Sequence, residues 1–522
     1  MDQRHMPLLE ALEKFRDESP AYFRIPAHRF LKGLNPALTG NNLAALDLSE
    51  AEGLDDLHQA EGPIREAQDL AAELFHARHT FFLVNGTTCG NEAMVLSTVQ
   101  EGDKIIVPRN VHKSVLMGLI MSGATPVYVM PEYLEEWNLW GSVAPETIEE
   151  AFRREPESRA VLLVSPTYYG IASDLERIAE ICHSHGAVLL VDEAHGSHVY
   201  FSEQLPKGAL ACGADAVAQS FHKTAGSFTQ SSLLHLGSDR IDRQRVAENL
   251  HLVQSTSPSY LLMASLDAAR RELAVNGREM MEKACRLALY AQEELKKIPG
   301  VRVLDGTGTG TPAMFDKDMT RLVFSAIDLG ITGYRLGELL YERFRVSPEL
   351  TDEENVVAVI TFANEPEDIE RLIRAVKVLA QDAAEEQKEK AVEHPKTRRQ
   401  KNPEERQTGE EEWSLCPVSG KEFQVFALPE QARTPREAYF DQNWETLPLE
   451  ETAGRIIKEM IVPYPPGIPL LCPGEVITKE HIRAVRRYQT ARCEFHGTAD
   501  RTAEHLRVFA VSQMPSSKLQ GI

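Results

Sequence analysis

The sequence lacks any uncharged apolar run approaching the roughly 20 residues that a membrane-spanning helix requires. It also shows no secretory signal, because residues 1–6 lead into a segment with the spacing of an amphipathic helix rather than a long apolar core. Both absences argue against a membrane or secreted protein. We therefore expect a cytoplasmic protein with no membrane partner.

Basic residues are scarce relative to acidic ones. The chain has 56 Lys and Arg against 78 Asp and Glu, which gives a formal net charge of −22. A protein that binds nucleic acid in general needs a basic surface, and none is expected to outweigh this charge. We therefore expect no nucleic-acid partner, whereas the charge mildly favours the approach of a cationic small molecule.

Cysteines are few, with seven in 522 residues, and they are scattered and odd in number. This usage is typical of reduced thiols in a cytosolic protein rather than of a disulfide framework. The stretch Cys416–Gly420 is similar to half of a zinc ribbon, but no second cysteine pair follows it. We interpret it as a turn, and the sequence predicts no metal site.

The length of the chain exceeds the size at which a single hydrophobic core stops growing, so two or three domains are expected. One segment is dense in Glu, Lys, Arg and Gln and is predicted to be a charged, solvated linker or a helix tail. The predicted organisation is an N-terminal arm over residues 1–45, a large domain over 46–260, a small α+β domain over 261–383, the linker over 384–412 and a C-terminal α+β domain over 413–522.

From about residue 57 the sequence alternates between strand and helix patterns. Short apolar runs such as 80–84, 161–164 and 187–191 are separated by segments with helical periodicity. Repeated strand–helix–strand units of this size predict an α/β fold with a mostly parallel sheet. Ligands bind such sheets beyond the carboxyl ends of the strands. Four chemically useful side chains directly follow predicted strands: Thr87, His112, Asp192 and Lys223.

One lysine stands among small and hydroxylated residues. Lys223 lies in the stretch 219–232, and the nearest acidic side chains in the sequence are Asp215 and Asp239. A lysine in such a place loses its proton readily and can attack a carbonyl. Asp192, thirty-one residues earlier, ends the apolar run 187–191. A lysine that attaches pyridoxal phosphate and an aspartate for its pyridine nitrogen are the pair that enzymes using this cofactor require.

A small, hydroxyl-rich turn joins the predicted strand 80–84 to the next helix. In the stretch 85–91, backbone N–H groups, the helix dipole and the hydroxyls of Thr87 and Thr88 can all point at a phosphate. A plain capped turn would produce the same pattern. The pairing of Lys223 with Asp192 favours the phosphate interpretation.

These stretches together resemble the ornithine/lysine/arginine decarboxylase family of bacteria. The resemblance rests on Ser220-x-His222-Lys223 with the hydroxyl-rich run behind it, and on five further motifs in the same order: 85–88, 109–114, 166–170, 191–196 and 464–475. It extends from about residue 7 to the C-terminus, except for the charged linker. The chain resembles the short members that lack an extra N-terminal domain.

The resemblance implies a fold of the aspartate-aminotransferase type, that is, pyridoxal-phosphate fold type I with a mostly parallel seven-stranded sheet. It implies that Lys223 carries the cofactor, that Asp192 holds the pyridine nitrogen protonated and that His112 stacks on the ring. Candidate phosphate and anchoring groups are Thr87, Thr88, Ser220 and His222. Cys89 is also placed at the cofactor, although relatives often have a small or hydroxylated residue there.

Three points stay open at this stage. His195 contacts the cofactor or the substrate carboxylate, or acts only indirectly. The proton for Cα comes from Lys223 or His222. An aminotransferase of the same fold is the rival activity, although a histidine directly before the lysine is a decarboxylase habit by resemblance.

The resemblance further implies a homodimer or higher homo-oligomer that decarboxylates a basic amino acid. We favour L-arginine, which yields agmatine for polyamine biosynthesis, over L-lysine and L-ornithine. A guanidinium needs planar carboxylate partners. Glu349 and Glu475 are the candidates, because each lies in a segment that is predicted to be rigid.

Overall fold

The computed structural model describes residues 14–29, 32–40, 43–393, 427–464, 468–490 and 493–510. Several of our predictions fall outside these residues. They concern the start of the N-terminal arm, the linker beyond residue 393, the turn at Cys416–Gly420 and residues 465–467 of the proline-rich motif.

A seven-stranded sheet forms the centre of the large domain. Its strands in chain order are β1 (His79–Leu83), β2 (Lys104–Pro108), β3 (Thr125–Val129), β4 (Ser158–Val164), β5 (Val188–Asp192), β6 (Ala216–Gln219) and β7 (Ser232–Leu236). Their spatial order is β1-β7-β6-β5-β4-β2-β3. Only β7 runs antiparallel to its neighbours. The predicted mostly parallel sheet is confirmed.

Helices cover both faces of this sheet, as the apolar strands require. They are Pro63–Phe75, Gly86–Thr98, Lys113–Ser122, Pro145–Arg154, Leu175–Ser184 and Arg243–Val253. Successive side chains of β5 enter opposite cores, since Leu190 packs in one apolar cluster and Leu189 and Val191 in another. Asp192 therefore points to the face of Leu190, which the helices Gly86–Thr98 and Lys113–Ser122 cover.

The small domain is built on a second, antiparallel sheet. Its strands are β8 (Arg302–Leu304), β9 (Arg321–Ser325), β10 (Leu350–Thr351) and β11 (Val356–Val359), in the order β8-β9-β11-β10. The single long helix Tyr260–Lys296 leads into it from the large domain, and helices Gly333–Phe344 and Pro366–Glu393 pack on it.

The helix Pro366–Glu393 continues ten residues into the segment that we predicted as linker. Its first part is held by burial of Ile369, Leu372, Val376 and Leu379. The continuation is rich in Ala, Glu, Gln and Lys, which are strong helix formers. Of the two predicted states, linker or helix tail, residues 384–393 adopt the helix tail. The other domain boundaries stay predictions.

The remaining elements tie the chain together. Strand Ala21–Phe23 of the N-terminal arm pairs with Val346–Pro348 in the small domain, and Asp316–Lys317 pairs with Ile171–Ala172 across the two domains. The C-terminal domain has its own apolar core. Its elements are helices Pro435–Phe440 and Lys479–Thr490 and the paired strands Trp444–Pro448 with His505–Phe509 and Val462–Tyr464 with Glu494–His496.

Candidate active site

The candidate active site is centred on Lys223. Strand β6 ends at Gln219, and the short helix Phe221–Thr224 that follows turns Lys223 toward the carboxyl edge of the sheet. The lysine amine lies 3.0 Å from Nε2 of His195. Burial lowers the pKa of Lys223 to about 8; the charges of Asp192 and Glu349 oppose this shift and that of Arg321 adds to it. The amine therefore loses its proton more readily than an exposed lysine does, although most of it is still protonated at pH 7.

His195 lies beside this amine as a neutral imidazole. Burial lowers the pKa of His195 well below its usual value, and the charges of Lys223 and Arg321 act in the same direction. Its Nε2 can therefore accept a hydrogen bond from the Lys223 amine. The ring of Tyr168 packs over it with 4.6 Å between ring centroids. The structure places His195 in direct contact with the lysine amine, and its contact with the cofactor or the substrate carboxylate stays a prediction.

Asp192 is held rigidly at the end of β5. Its side chain is buried, and Oδ2 accepts a hydrogen bond from Nδ2 of Asn91 at 2.7 Å, while Oδ1 accepts one from the N–H of Ala194 at 3.1 Å. Nδ2 of Asn91 also donates to Oγ of Ser114 at 2.9 Å. Our sequence reasoning missed Asn91. Its signal was its position one helical turn after Thr87, on the same face of the helix.

His112 caps the helix Lys113–Ser122. Its Nδ1 accepts a hydrogen bond from the N–H of Ser114 at 3.2 Å and lies 2.8 Å from the Ser114 hydroxyl, so Ser114 links His112 to Asn91. Burial lowers the pKa of His112; the charge of Asp192 opposes this and that of Lys223 adds to it. Three predicted residues, His112, Asp192 and Lys223, therefore converge as the sheet topology required.

The turn before the helix Gly86–Thr98 forms a polar cradle. Gly86 adopts a left-handed φ of +69°, and the helix has no side-chain cap, so the N–H groups of Thr87 and Thr88 have no acceptor within the helix. The Thr87 hydroxyl lies 2.5 Å from that of Ser220 and 3.3 Å from that of Ser232. Thr87 and Ser220 therefore meet at one place beside Thr88, although 133 positions separate Thr87 from Ser220 in the sequence.

The thiol of Cys89 forms a hydrogen bond within its own helix. Its side chain is fully buried, and the thiol donates to the backbone oxygen of Gly86 at 3.1 Å. Burial raises the pKa of Cys89 to about 12, so the thiol stays protonated. The thiol is committed to its own helix, and a contact of Cys89 with the cofactor stays a prediction.

His222 is oriented by the loop that follows it. Its Nδ1 lies 2.9 Å from the backbone oxygen of Ser231, so this nitrogen carries the proton and Nε2 is left as an acceptor. Burial lowers the pKa of His222 to about 4. His222 is therefore neutral at physiological pH.

Glu349 is brought to the site from the small domain. Tyr168 donates its hydroxyl to one carboxylate oxygen, and the N–H of Ile25 in the N-terminal arm donates to the other at 2.9 Å. The same Tyr168 packs on His195. The site is therefore assembled from the large domain, the small domain and the arm. Sequence reasoning placed Tyr168 in a motif but gave it no role.

Glu475 lies in a buried ion pair with Arg109. Both of its carboxylate oxygens accept from Arg109, at 2.5 Å from NH1 and 3.2 Å from NH2, and both side chains are almost fully buried. The guanidinium also donates to the backbone oxygens of Pro469 and Leu470 and packs over the Tyr128 ring. A cation of this chain already neutralises Glu475, so we assign it a structural role and not substrate recognition.

The described part of the chain holds neither a metal-binding cluster nor a membrane-spanning helix. No group of three or more His, Cys, Asp and Glu side chains there is arranged to hold a metal ion. None of the helices in the same residues has the length and apolar character needed to cross a membrane.

Comparison with known proteins identifies close relatives. The family model described as the Orn/Lys/Arg decarboxylase major domain matches residues 6–317, and the model for the C-terminal domain of the same family matches residues 419–499. The arginine decarboxylase of Bacillus subtilis (strain 168) is 38% identical over 97% of this chain and 98% of its own length. That of Halalkalibacterium halodurans is also 38% identical, with the same coverage.

Solved structures show the fold. The lysine decarboxylase LdcF of Francisella novicida superposes with a TM-score of 0.74 at 20% identity, covering 97% of this chain and 81% of its own. The constitutive lysine decarboxylase of E. coli gives a TM-score of 0.70 at 20% identity, covering 98% and 82%. The serine palmitoyltransferase of Sphingomonas wittichii matches over 73% of this chain with a TM-score of 0.53. The predicted fold, pyridoxal-phosphate fold type I, is confirmed.

Proposed function

The chain belongs to the Orn/Lys/Arg decarboxylase family, and from this premise we propose that it converts L-arginine to agmatine and carbon dioxide in the cytoplasm, as a step of polyamine biosynthesis. The observation that carries the proposal is the convergence of Lys223, Asp192 and His112 in a chain whose relatives at 38% identity are named arginine decarboxylases over nearly its whole length.

The residues at the site fit pyridoxal phosphate. Lys223 is the amine that would attach it, and the buried carboxylate of Asp192 would hold a proton at the pyridine nitrogen. The free N–H groups of Thr87 and Thr88 and the hydroxyl of Ser220 would take the phosphate. When bound, the cofactor supplies an electron sink for the electron pair released as the Cα–carboxylate bond breaks. His112 would lie on the ring, and Nε2 of His222 is free to accept a hydrogen bond.

The pKa values favour Lys223 as the proton donor to Cα. At pH 7 an amine with a pKa of about 8 is mostly protonated, whereas the imidazole of His222, with a pKa of about 4, carries no transferable proton on Nε2. His195 accepts from the same amine at 3.0 Å and holds it in place. We propose that the Lys223 amine donates the proton to Cα and that His195 orients this amine.

Product analysis tests the activity directly. Purified protein loaded with pyridoxal phosphate should release carbon dioxide and agmatine from L-arginine, with lower kcat/KM for L-lysine and L-ornithine. Faster turnover of lysine would contradict the arginine assignment but leave the decarboxylase assignment intact. A keto acid in place of carbon dioxide would indicate an aminotransferase.

Asp192→Asn is expected to retain the cofactor but to lower turnover by about two orders of magnitude. The amide oxygen can still accept the hydrogen bond from the N–H of Ala194, yet the side chain carries no charge to keep a pyridine nitrogen protonated. Cofactor content by absorbance and kcat together check this result. Asp174→Asn, at a helix N-terminus away from the site, is the matched control. Near-normal turnover of Asp192→Asn would rule out the electron-sink role.

Glu349→Gln is expected to lower kcat/KM for arginine relative to lysine by about thirtyfold. Removing a carboxylate partner from a guanidinium in a desolvated pocket costs at least about 2 kcal/mol. The amide is isosteric and can keep the contacts with Tyr168 and the N–H of Ile25. The ratio of the two kcat/KM values is the measurement, with exposed Glu480→Gln as the control. An unchanged ratio would show that Glu349 does not recognise the guanidinium of the substrate.

We further propose that the functional unit is at least a homodimer with the site at the subunit interface. The support is the family membership and the N-terminal arm, whose residues Ile25 and Ala27 already contact Glu349 and His222. Light scattering at assay concentration should give at least twice the 58.3 kDa chain mass. A fully active monomer would refute the proposal.

A further inference from the structure

A short segment of the small domain is fastened to the large domain directly behind His195. Strand Asp316–Lys317 pairs antiparallel with Ile171–Ala172, and the N–H of Asp318 donates to the backbone oxygen of Gly170 at 2.7 Å. The segment then continues into β9, whose first residue is Arg321. This junction brings small-domain side chains next to the turn that follows Asp192.

Two of these side chains hold the ends of that turn. NH2 of Arg321 donates to the backbone oxygen of His195 at 3.2 Å. The carboxylate of Asp318 lies 3.0 Å from Nε2 of His198, three residues further along. The turn His195–His198 is therefore fixed at both ends from the small domain, and its first residue is the one whose imidazole meets the Lys223 amine.

The surrounding residues confine Arg321 to one position. It has no solvent-exposed surface and packs against Gly170, which adopts a φ of +80°. A Cβ on Gly170 would lie only 2.7 Å from Cβ of Arg321, so the bare glycine backbone is what admits the arginine stem. The position of the guanidinium is therefore set by the fold and not by rotamer choice.

The charge of Arg321 is incompletely compensated. Oδ2 of Asp318 is 3.8 Å from Nε, beyond hydrogen-bond distance, and the same carboxylate is shared with His198. Within the described residues, Nε and NH1 make no hydrogen bond. A buried cation in this condition is costly in free energy, and a neutral side chain of similar shape would be more stable at this place. The effect of the Arg321 charge on the neighbouring groups offers a reason for an arginine at this position.

We propose that Arg321 is a positioning residue for the decarboxylation: it fixes the backbone of His195 so that Nε2 receives the Lys223 amine, and it supplies a permanent positive charge behind the pair. The inference rests on the proposed function for its catalytic consequence. The placement of the amine does not depend on which amino acid is the substrate.

The groups that face Lys223 determine how the charge of Arg321 affects the protonation of the lysine amine. They are the carboxylates of Asp192 at the end of β5 and Glu349 before β10, the guanidinium of Arg321 on β9, and the imidazoles of His112, His195 and His222. Two anions therefore favour the ammonium form of the lysine, and Arg321 is the one guanidinium among these groups. Removing its charge should make the amine harder to deprotonate.

The test measures the acetylation of Lys223 as a function of pH in the full-length protein freed of cofactor, with mass spectrometry of the labelled peptide. The wild-type midpoint is expected near 8. Arg321→Gln keeps a donor for the His195 oxygen but loses the charge, and should raise the midpoint by about one unit. Arg321→Lys keeps the charge and should stay near the wild-type midpoint.

The matched control is Arg302→Gln. Arg302 also joins a small-domain strand to a large-domain backbone oxygen, that of Glu136 at 2.9 Å, and it is not among the groups that influence Lys223. This variant should leave the midpoint unchanged. In the loaded enzyme, Arg321→Gln should lower kcat about tenfold with KM within about twofold of wild type, because the residue does not touch the substrate.

A wild-type midpoint in Arg321→Gln, or an equal shift in Arg302→Gln, would overturn the proposal. If Arg321→Gln does not fold, as judged by thermal unfolding, Asp318→Asn serves instead. It removes the carboxylate beside Arg321 and should shift the midpoint downward, and an upward shift or none would contradict the inference. Because acetylation needs no substrate, absence of arginine decarboxylation would leave this result standing.

Discussion

Lys223→Ala is expected to abolish turnover to the level of the free cofactor in solution. The amine is both the attachment point proposed for pyridoxal phosphate and the proton donor proposed for Cα, so one substitution removes two functions. Borohydride reduction of the loaded wild-type enzyme, followed by peptide mapping, should mark Lys223. A mark on another lysine would refute the assignment whatever the activity of the variant.

The pH dependence of the same amine gives a second check. Because burial lowers the pKa of Lys223 to about 8, the amine of the cofactor-free protein should react with an acylating reagent with a midpoint near that pH. A lysine in an unfolded chain titrates at about pH 10.4. Lys223→Arg is the control that keeps a positive charge but cannot attach the cofactor. It should be as inactive as the alanine variant.

Arg109→Met is expected to lower the free energy of unfolding by about 3–5 kcal/mol. The substitution leaves the carboxylate of Glu475 buried without its cation, and breaking a buried pair from one side has a cost of this size. The contacts with the backbone oxygens of Pro469 and Leu470 are lost as well. Denaturant unfolding followed by fluorescence measures the change.

The double variant Arg109→Met with Glu475→Leu tests whether the loss of stability comes from the unpaired carboxylate. Since it removes both charges together, it should recover most of the lost stability. The exposed pair Arg483–Glu480 provides the control, because Arg483→Met should change stability by less than about 0.5 kcal/mol. If Arg109→Met is as mild as this control, the buried ion pair does not hold the C-terminal domain to the large domain.

The interpretation of Glu475 shows why sequence alone could not distinguish two carboxylates. Both Glu349 and Glu475 stand in proline-containing segments, and both end up buried. Glu475 meets Arg109, 366 residues away in sequence, whereas Glu349 meets Tyr168 and the N-terminal arm. Which of them has a cation of its own chain is a property of long-range packing, and nothing in the local sequence encodes it.

Cys89 and the end of the small domain are two further features that the local sequence could not decide. The thiol bonds to a carbonyl three residues earlier because helix geometry brings it there, so residue type and motif position did not predict the direction of the side chain. The predicted linker begins as a helix because its composition suits both states. Local propensity left these alternatives open, and the tertiary contacts decided between them.

By itself, the sequence determined the fold class and the family, and it predicted the position of the site. Apolar strands that alternate with helices allow essentially one kind of sheet, and the carboxyl ends of its strands carry Thr87, His112, Asp192 and Lys223. Only the tertiary structure decided how these groups are tuned. Asn91 holds Asp192, His195 receives the lysine amine, and Arg321 reaches His195 from another domain. Such contacts join residues that are up to 126 positions apart. They depend on the packing of strands and domains against each other, which no local pattern in a single sequence specifies.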